Sequence, residues 1–280
     1  MAFLTEARIT ELEEIARQLR VDSLKLIARR GAGHPGGALS AAEIMAVLYF
    51  HTLRLDPAEP AWEGRDRFIL SKGHASALLY AALSRRGFFP PQELENWGEV
   101  ECPHQGHPDR LKTPGVDMTS GLLGHGVAVG AGLALAARLK GVTYRTYVLL
   151  GDGESQGGIV WEGAMTAAKY RLSNLTAILD ANDVQLDGPV HAIMPLEPLA
   201  DKWTAWGWRV VEVDGHSVRQ VAEALALSGS VHDRPTLVLA RTTKGRGVSF
   251  MENQAAWHGI APNADELAQA LEELGEVRHG

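Results

Sequence analysis

Cysteine is almost absent from this sequence of 280 residues, in which Cys102 is the only one. An internal disulfide is therefore excluded, and a reducing compartment is expected. No apolar run approaches the roughly 20 residues that span a bilayer, and the N-terminal segment carries too many charges for an export signal. Basic residues are also fewer than acidic ones, with 27 Lys and Arg against 34 Asp and Glu and a formal net charge of −7. This balance disfavours nucleic acid and acidic lipid as partners, and we predict a cytoplasmic protein.

Apolar segments that alternate with helical ones predict an α/β fold. The segments near 67–71, 146–150, 175–180, 208–213 and 236–242 show no polar alternation. Such strands are typical of a parallel β-sheet buried on both faces by helices. Helices are expected over 41–51, 74–86, 126–139, 161–171, 196–206, 218–228 and 265–275. Because no linker or repeat is visible, we predict one domain over 1–280, with an N-terminal helix over 5–30 and a short C-terminal tail over 260–280.

Three local patterns have more specific interpretations. Ser40 and Glu43 have the spacing of a capping box, which predicts that a helix opens at Ala41. The segment 98–125 is rich in Gly, Pro and His and has no regular pattern. Loops of this length inside a compact domain are usually functional. The tryptophans at 203, 206 and 208 are interpreted as core or interface packing.

The stretch VLLGDGESQGG places carboxylates in a glycine-bracketed turn after a buried strand. Asp152 lies at this strand end, and Asn182 lies at the end of the next strand, 182 − 152 = 30 residues later. Ligands bind beyond the carboxyl ends of parallel strands, and these hard oxygens suit Mg²⁺ or Ca²⁺. Gly151 and Gly153 let the backbone approach a phosphate, and the following helix N-terminus adds positive charge. A helix cap at Asp152 and a turn at Asn182 remain open as alternatives.

Four histidines occur in turns marked by glycine or proline: His34 in GHPG, His74 in KGHA, His107 in GHPD and His258 in WHG. A lone histidine is more often a surface or core residue than a catalytic one, but four beside an anion site suit proton transfer and hydroxyl binding. The segment CPHQGH leaves a zinc alternative open, with Cys102, His104 and His107 as ligands, although a fourth ligand is missing.

Taken together, these motifs resemble the N-terminal, diphosphate-binding region of a transketolase. The segments GAGHPGGALSAAEI, RFILSKGHASALLYAAL, GHPD, TSGLLGHGVAVGAGLALA and GDGESQGGIVWEGAM occur in the family's order, from about residue 20 to the AWHG at 256–259. The resemblance implies a thiamin-diphosphate-binding fold and thiamin diphosphate as the cofactor. It also implies Mg²⁺ or Ca²⁺ held by Asp152, Asn182 and the backbone carbonyl of Val184.

The resemblance further assigns roles to individual residues. His34, His74, His107 and His258 would be catalytic, orienting sugar hydroxyls and moving protons, while the cofactor's thiazolium carbon acts as the nucleophile. Gly121, Leu123 and Gly124 would form the loop that contacts the aminopyrimidine and diphosphate. The full cofactor-binding set implied in this way is His74, Gly121, Leu123, Gly124, Gly151, Asp152, Gly153, Glu154, Asn182 and His258.

Part of the family's machinery is missing from this sequence. Transketolases carry the glutamate that activates the aminopyrimidine on a second, pyrimidine-binding domain, and their chains are more than twice as long. The resemblance therefore implies the N-terminal subunit of a split transketolase, whose partner in an α2β2 heterotetramer is a C-terminal subunit. The assembled transferase would move a two-carbon ketol unit between sugars or sugar phosphates. Pentose phosphate metabolism, sugar catabolism and biosynthesis all remain open as pathways.

One residue departs from the family pattern, and two other functions remain open. Gly157 stands where the family often has a glutamate that links the two cofactor sites, although Glu162 fits a second acid nearby. A component of a two-chain 2-oxoacid dehydrogenase or decarboxylase is one alternative function. A non-catalytic module that keeps the fold is the other.

Overall fold

The computed structural model describes residues 4–276 and is organised around a sheet of five strands, all paired in parallel. The strands are β1 (Arg67–Leu70), β2 (Thr146–Gly151), β3 (Leu175–Ala181), β4 (Arg209–Asp214) and β5 (Thr236–Arg241). Their order across the sheet is β1-β2-β3-β5-β4. All five carboxyl ends therefore lie along one edge, and the predicted parallel sheet is confirmed.

Helices cover both faces of this sheet. They are α1 (Glu6–Arg30), α2 (Pro35–Ser40), α3 (Ala42–Val47), α4 (Ser76–Arg85), α5 (His125–Lys140), α6 (Gly158–Lys169), α7 (Val190–Ile193), α8 (Leu199–Ala205), α9 (Val218–Ser230) and α10 (Ala264–Glu273). Alternate strand residues point into two cores. Leu149 and Ile178 pack with α1, α3, α4 and α9, whereas Val148 and Leu179 pack with α5, α6 and α8. This alternation confirms the predicted layers.

The first and last helices pack against each other. The side chain of Thr5 caps the start of α1, and Gly31 ends it in the left-handed region at φ 68°. Asn263 and Glu266 form a capping box that opens α10. Leu274 at the end of α10 joins Val21 and other apolar residues in a third small core. The end of the predicted tail, 277–280, and the first three residues of the predicted domain lie outside the described residues.

Two sequence predictions are wrong. Ser40 and Glu43 do not form a capping box, because α2 has already begun at Pro35. The Ser40 hydroxyl instead donates to Asp180 at 2.7 Å, and Glu43 pairs with Arg20. The segment 208–213 is not buried on both faces. Its strand, β4, is an edge strand with two exposed residues in its first four, and apolar content alone does not distinguish an edge position from a central one.

The long segment 98–125 is irregular up to Gly124, as predicted, but its backbone is anchored. Its carbonyls at Gln105 and Gly106 accept hydrogen bonds from Tyr80 and Ser76. Trp203 and Trp208 are fully buried in the predicted packing role, while Trp206 is partly exposed. Within residues 4–276, no helix is long and apolar enough to cross a membrane.

Candidate functional site

A cavity of about 250 Å³ opens at the carboxyl edge of the sheet, where β2 and β3 end. Asp152 follows β2 directly and Asn182 follows β3, and both side chains line this cavity together with Val184. Asp152 also binds the second loop, since its Oδ2 accepts from the backbone N of Asp183 at 2.5 Å. The spacing of thirty residues therefore brings the two strand ends together in space, as the sequence predicted.

The environment of Asp152 is unfavourable for an unpaired negative charge. The carboxylate accepts from the backbone N of Gly153 at 2.7 Å as well as from Asp183. Burial, together with the nearby carboxylate of Asp180, nevertheless raises the pKa of Asp152 to about 6. A cation at this carboxylate would favour its ionised form.

The three groups predicted to bind a metal, a carboxylate, an amide and a backbone carbonyl, lie around this cavity and offer hard oxygen ligands. Asn182 Oδ1 accepts from Val184 N at 3.2 Å, and the carbonyl of Val184 accepts from Lys244 Nζ at 2.9 Å. Each of these oxygens has a second lone pair, so the set fits Mg²⁺ or Ca²⁺. Among residues 4–276, no three His, Cys, Asp or Glu side chains form a metal cluster. The predicted set contains only one such residue, Asp152.

A buried ion pair that the sequence analysis missed lies beneath these ligands. Asp180 on β3 is fully buried and accepts from Lys72 Nζ at 2.6 Å, from Ser40, from Asn182 Nδ2 and from the hydroxyl of Thr242. Burial opposes ionisation, but the Lys72 ammonium and the hydroxyl donors hold the pKa of Asp180 below its ordinary value. An acid inside an otherwise apolar strand was the available sequence clue, because such a group needs a buried partner.

Lys244 is the second missed residue, and it places a cation in the wall of the cavity. Its side chain is buried, and Nζ contacts His258 Nδ1 at 2.7 Å as well as the Val184 carbonyl. Burial, with the Lys72 ammonium nearby, lowers the pKa of Lys244 to about 8. Since Lys72 is paired with Asp180, the charge of Lys244 is available to an anion.

Glu154 lines the cavity, but its carboxylate binds the surrounding loops. It accepts from the hydroxyl of Ser71, from Gly124 N at 2.6 Å and from Gly151 N at 3.0 Å. Burial raises the pKa of Glu154. The residue thereby joins the ends of β1 and β2 to the start of α5, and a direct contact between Glu154 and the cofactor stays a prediction.

The other predicted cofactor loop lies beside the cavity. Leu123 lines it, while Gly121 and Gly124 adopt positive φ angles of 155° and 88°, which favour glycine. On the other side, Gly151 and Gly153 line the cavity as predicted. The following helix, expected from about residue 161, begins slightly earlier, at Gly158, after a short 3₁₀ turn over Gly153–Gln156.

Three of the four predicted histidines form one cluster. The ring centroids of His34, His74 and His258 lie 5.1–5.4 Å apart, and His74 and His258 line the cavity. Burial, aided by the charges of neighbouring cations and histidines, lowers the pKa of His34, lowers that of His74 well below its usual value, and lowers that of His258 to about 3. These rings are therefore neutral near pH 7, each with one donor and one acceptor nitrogen.

The fourth predicted histidine, His107, is not among these three rings, and the surroundings of His104 bear on the zinc alternative. His107 is exposed next to Gly121, where a Cβ on the glycine would lie 3.3 Å from its Cδ2. His104 is buried, and its two ring nitrogens contact Thr113 and Glu93. Because both ring nitrogens of His104 are engaged, and the His107 ring lies against Gly121, the geometry gives no support to a zinc site at these residues.

Comparison with known proteins identifies the relatives of this arrangement. The family described as "Transketolase, thiamine diphosphate binding domain" matches residues 11–279. The 6-deoxy-6-sulfo-D-fructose transketolase subunit of Clostridium sp. (strain MSTE9) is 40% identical, with 94% of this chain and 96% of that protein aligned. An apulose-4-phosphate transketolase subunit of Phocaeicola vulgatus is 38% identical over 96% of this chain and 95% of its own.

Solved structures agree with these sequence relationships. The transketolase of Campylobacter jejuni superposes with a TM-score of 0.91 and 33% identity, covering 95% of this chain. The chain spans only 43% of the length of that enzyme, which contains further sequence. The predicted α/β fold and the resemblance are both confirmed: the chain belongs to the transketolase family and corresponds to its thiamin-diphosphate-binding domain.

Proposed function

We propose that the chain is the diphosphate-binding subunit of a two-chain transketolase that transfers a two-carbon ketol unit from a ketose or ketose phosphate to an aldose or aldose phosphate. The observation that carries this proposal is the convergence of Asp152, Asn182 and Val184 on one cavity that also contains Lys244. A diphosphate with a divalent cation fits this combination of oxygens and positive charge.

Asp152, Asn182 and the Val184 carbonyl would hold Mg²⁺ or Ca²⁺ in this proposal. The bound metal and the Lys244 ammonium would together offset the charge of the diphosphate group. When bound, thiamin diphosphate supplies the nucleophilic carbon for ketol transfer. Gly151 and Gly153 line the cavity without side chains of their own, so that the diphosphate can approach their backbone.

The neutral histidines would serve the sugar. His34, His74 and His258 have lowered pKa values because they are partly buried and lie near cations. Each ring can therefore accept a proton or a hydrogen bond at one nitrogen and donate at the other. His107, on the neighbouring loop, would bind a hydroxyl further from the cavity. These roles make the histidines candidates for both binding and proton transfer.

A second polypeptide is needed to complete this site. The chain covers 95–96% of relatives that are themselves named subunits, but 43% of single-chain transketolases. We infer that a C-terminal subunit supplies the pyrimidine-binding domain and the catalytic glutamate, in an α2β2 heterotetramer. The groups that recognise the distal end of the sugar would also lie there. A cytoplasmic location is proposed from the single cysteine.

Reconstitution tests the proposal. The chain is co-expressed with the product of the adjacent gene, and ketol transfer is measured with thiamin diphosphate and Mg²⁺ on a panel of sugars and sugar phosphates. We expect activity from the pair and none from this chain alone. Full activity of the isolated chain, or turnover of pyruvate without any ketose activity, would contradict it. A pair that binds no thiamin diphosphate at millimolar concentration would favour a non-catalytic module.

A further inference from the structure

A histidine outside the cavity holds the segment that carries Lys244. The backbone N of Thr243 donates to His216 Nε2 at 2.8 Å, and Thr243 immediately precedes Lys244 in the chain. His216 lies in the loop between β4 and α9, and it is not part of the lining of the 250 Å³ cavity. The contact therefore links His216, which lies outside the cavity, to the segment whose Lys244 ammonium lines it.

The tautomer of His216 follows from its two hydrogen-bond partners. A backbone N–H can only donate, so Nε2 must be the unprotonated acceptor. Nδ1 then carries the proton and donates to Glu43 Oε2 at 3.2 Å. The side chains of His216 and Glu43 are only 12% and 10% exposed. A buried carboxylate thus selects the tautomer that Thr243 requires.

Glu43 is itself fixed in place. Arg20 NH2 donates to both of its carboxylate oxygens, at 2.7 and 2.6 Å, and Arg20 Nε donates to the carbonyl of Leu39 at 3.0 Å. This buried pair joins α1 to α3, so the position of Glu43 depends on two packed helices and not on a mobile loop. The chain Arg20–Glu43–His216–Thr243 is continuous, and each contact has one defined donor and acceptor.

The far side of Lys244 is also held. Gly245 N donates to the carbonyl of Gly36 at 3.0 Å, and the carbonyl of Lys244 accepts from Asn253 N at 2.9 Å. With Thr243 bound to His216, the backbone is fixed on both sides of Lys244. The Lys244 side chain therefore extends from a fixed backbone position to the Val184 carbonyl and His258.

We propose that His216 is a positioning residue for the cofactor site: through the Thr243 amide it directs the Lys244 ammonium into the cavity. This inference rests on the proposed function, because it assigns Lys244 to the diphosphate. It predicts that a side chain able to accept from Thr243 N can replace His216, whereas one that is too short cannot.

Two amide variants of the full chain provide the test. In His216→Gln the side-chain oxygen reaches about as far as Nε2 and can accept from Thr243. In His216→Asn the amide still reaches Glu43 but falls short of Thr243. His232→Gln, in an exposed loop, is the matched control. Three quantities are measured: the affinity for inorganic pyrophosphate with MgCl₂ by calorimetry, amide exchange over residues 241–247, and the acylation rate of Lys244 by mass spectrometry.

We expect His216→Asn to weaken pyrophosphate binding about tenfold or more, to accelerate exchange at Thr243 and to raise the acylation rate of Lys244. His216→Gln and the control should remain close to the wild type in all three. If His216→Asn does not fold, His216→Ala takes its place. The inference is overturned if His216→Asn speeds exchange at Thr243 but leaves pyrophosphate affinity and Lys244 acylation unchanged, or if His216→Gln is as impaired as His216→Asn.

A failure of the proposed function has a different signature. A wild-type chain that binds no pyrophosphate would contradict the assignment of the cavity to a diphosphate. The acylation rates would then still decide whether His216 places Lys244. Equal rates in His216→Asn and the wild type would reject that role, and a faster rate in His216→Asn with rescue in His216→Gln would support it.

Discussion

Asn182 Nδ2 donates to the carboxylate of Asp180 across 3.0 Å, and this bond determines which end of the Asn182 amide faces the cavity. Since the nitrogen is engaged below, Oδ1 is the end that remains for a cation. Asp180 in turn accepts from Lys72 at 2.6 Å, and both side chains are almost completely buried. The buried ion pair of Asp180 and Lys72 therefore holds Asn182, one ligand of the proposed metal site, in its orientation.

Removing Asp180 is expected to destabilise the protein strongly. In Asp180→Ala the Lys72 ammonium would stay buried without its partner, which typically costs about 3–5 kcal/mol. Urea unfolding measures this change in the free energy of unfolding. Glu63→Ala is the matched control, because its pair with Lys140 is exposed to solvent and should contribute little to stability. An equal loss in the two variants would contradict the importance assigned to the buried pair.

Removing Asp152 is expected to eliminate binding without unfolding the chain. Asp152→Ala would lose the only carboxylate of the proposed metal set, so magnesium-dependent binding of thiamin diphosphate should become undetectable by calorimetry. Circular dichroism should remain that of the wild type, since Asp152 lies at a strand end and outside the apolar cores. Asp187→Ala, which alters another acid in the same cavity lining, is the control and should keep binding. Retained binding in Asp152→Ala would refute the assigned ligand.

Much of the site could be predicted because it follows from topology. In a parallel sheet, polar residues at successive strand ends meet at one edge, and this rule alone predicted that Asp152 and Asn182 lie close together. The apolar runs likewise identified the central strands. The same reasoning failed for the segment 208–213, since the sequence reveals neither the strand order nor which edge strand stays exposed: β1, at the other edge, is mostly buried.

The residues that were missed have partners far away in the chain. Lys72 and Asp180 are 108 residues apart, and Lys244 contacts Val184 over 60 residues. No periodicity or local motif indicates such pairs, because the two residues come together only when distant parts of the chain fold against each other. Ser40 shows the same limitation: its local spacing to Glu43 suggests a cap, but burial against Asp180 decides its hydrogen bond.

Acidification is expected to destabilise the chain through His258. Its pKa is about 3 in the folded state against an ordinary 6.5, so the unfolded chain binds more protons between these values. Stability should therefore rise with pH across this window and decrease as the pH falls below 6.5. Between pH 7 and pH 5, with EDTA present, the thermal midpoint of His258→Asn should fall by less than that of the wild type. His232→Asn should behave as the wild type, and a wild-type slope in His258→Asn would contradict the prediction.

Two glycines in α5 should respond oppositely to alanine. A Cβ at Gly126 would overlap the hydroxyl of Ser71, which binds both Glu154 and Gly126 N. Gly126→Ala should therefore cost about 1–3 kcal/mol. Gly132 is exposed with no atom within 4 Å of the same position, so Gly132→Ala should stabilise the helix by up to about 1 kcal/mol. Chemical denaturation compares the two variants, and equal effects would show that the Ser71 contact does not constrain α5.

The location of the divalent ion is the most direct test of the account. The chain is crystallised with its partner subunit, thiamin diphosphate and MnCl₂, and an anomalous difference map is calculated at a wavelength where manganese scatters anomalously. We predict a single strong peak between the carboxylate of Asp152, Oδ1 of Asn182 and the carbonyl of Val184, adjacent to the diphosphate. Bound thiamin diphosphate with no peak at these three oxygens, or with the manganese held elsewhere, would contradict the account.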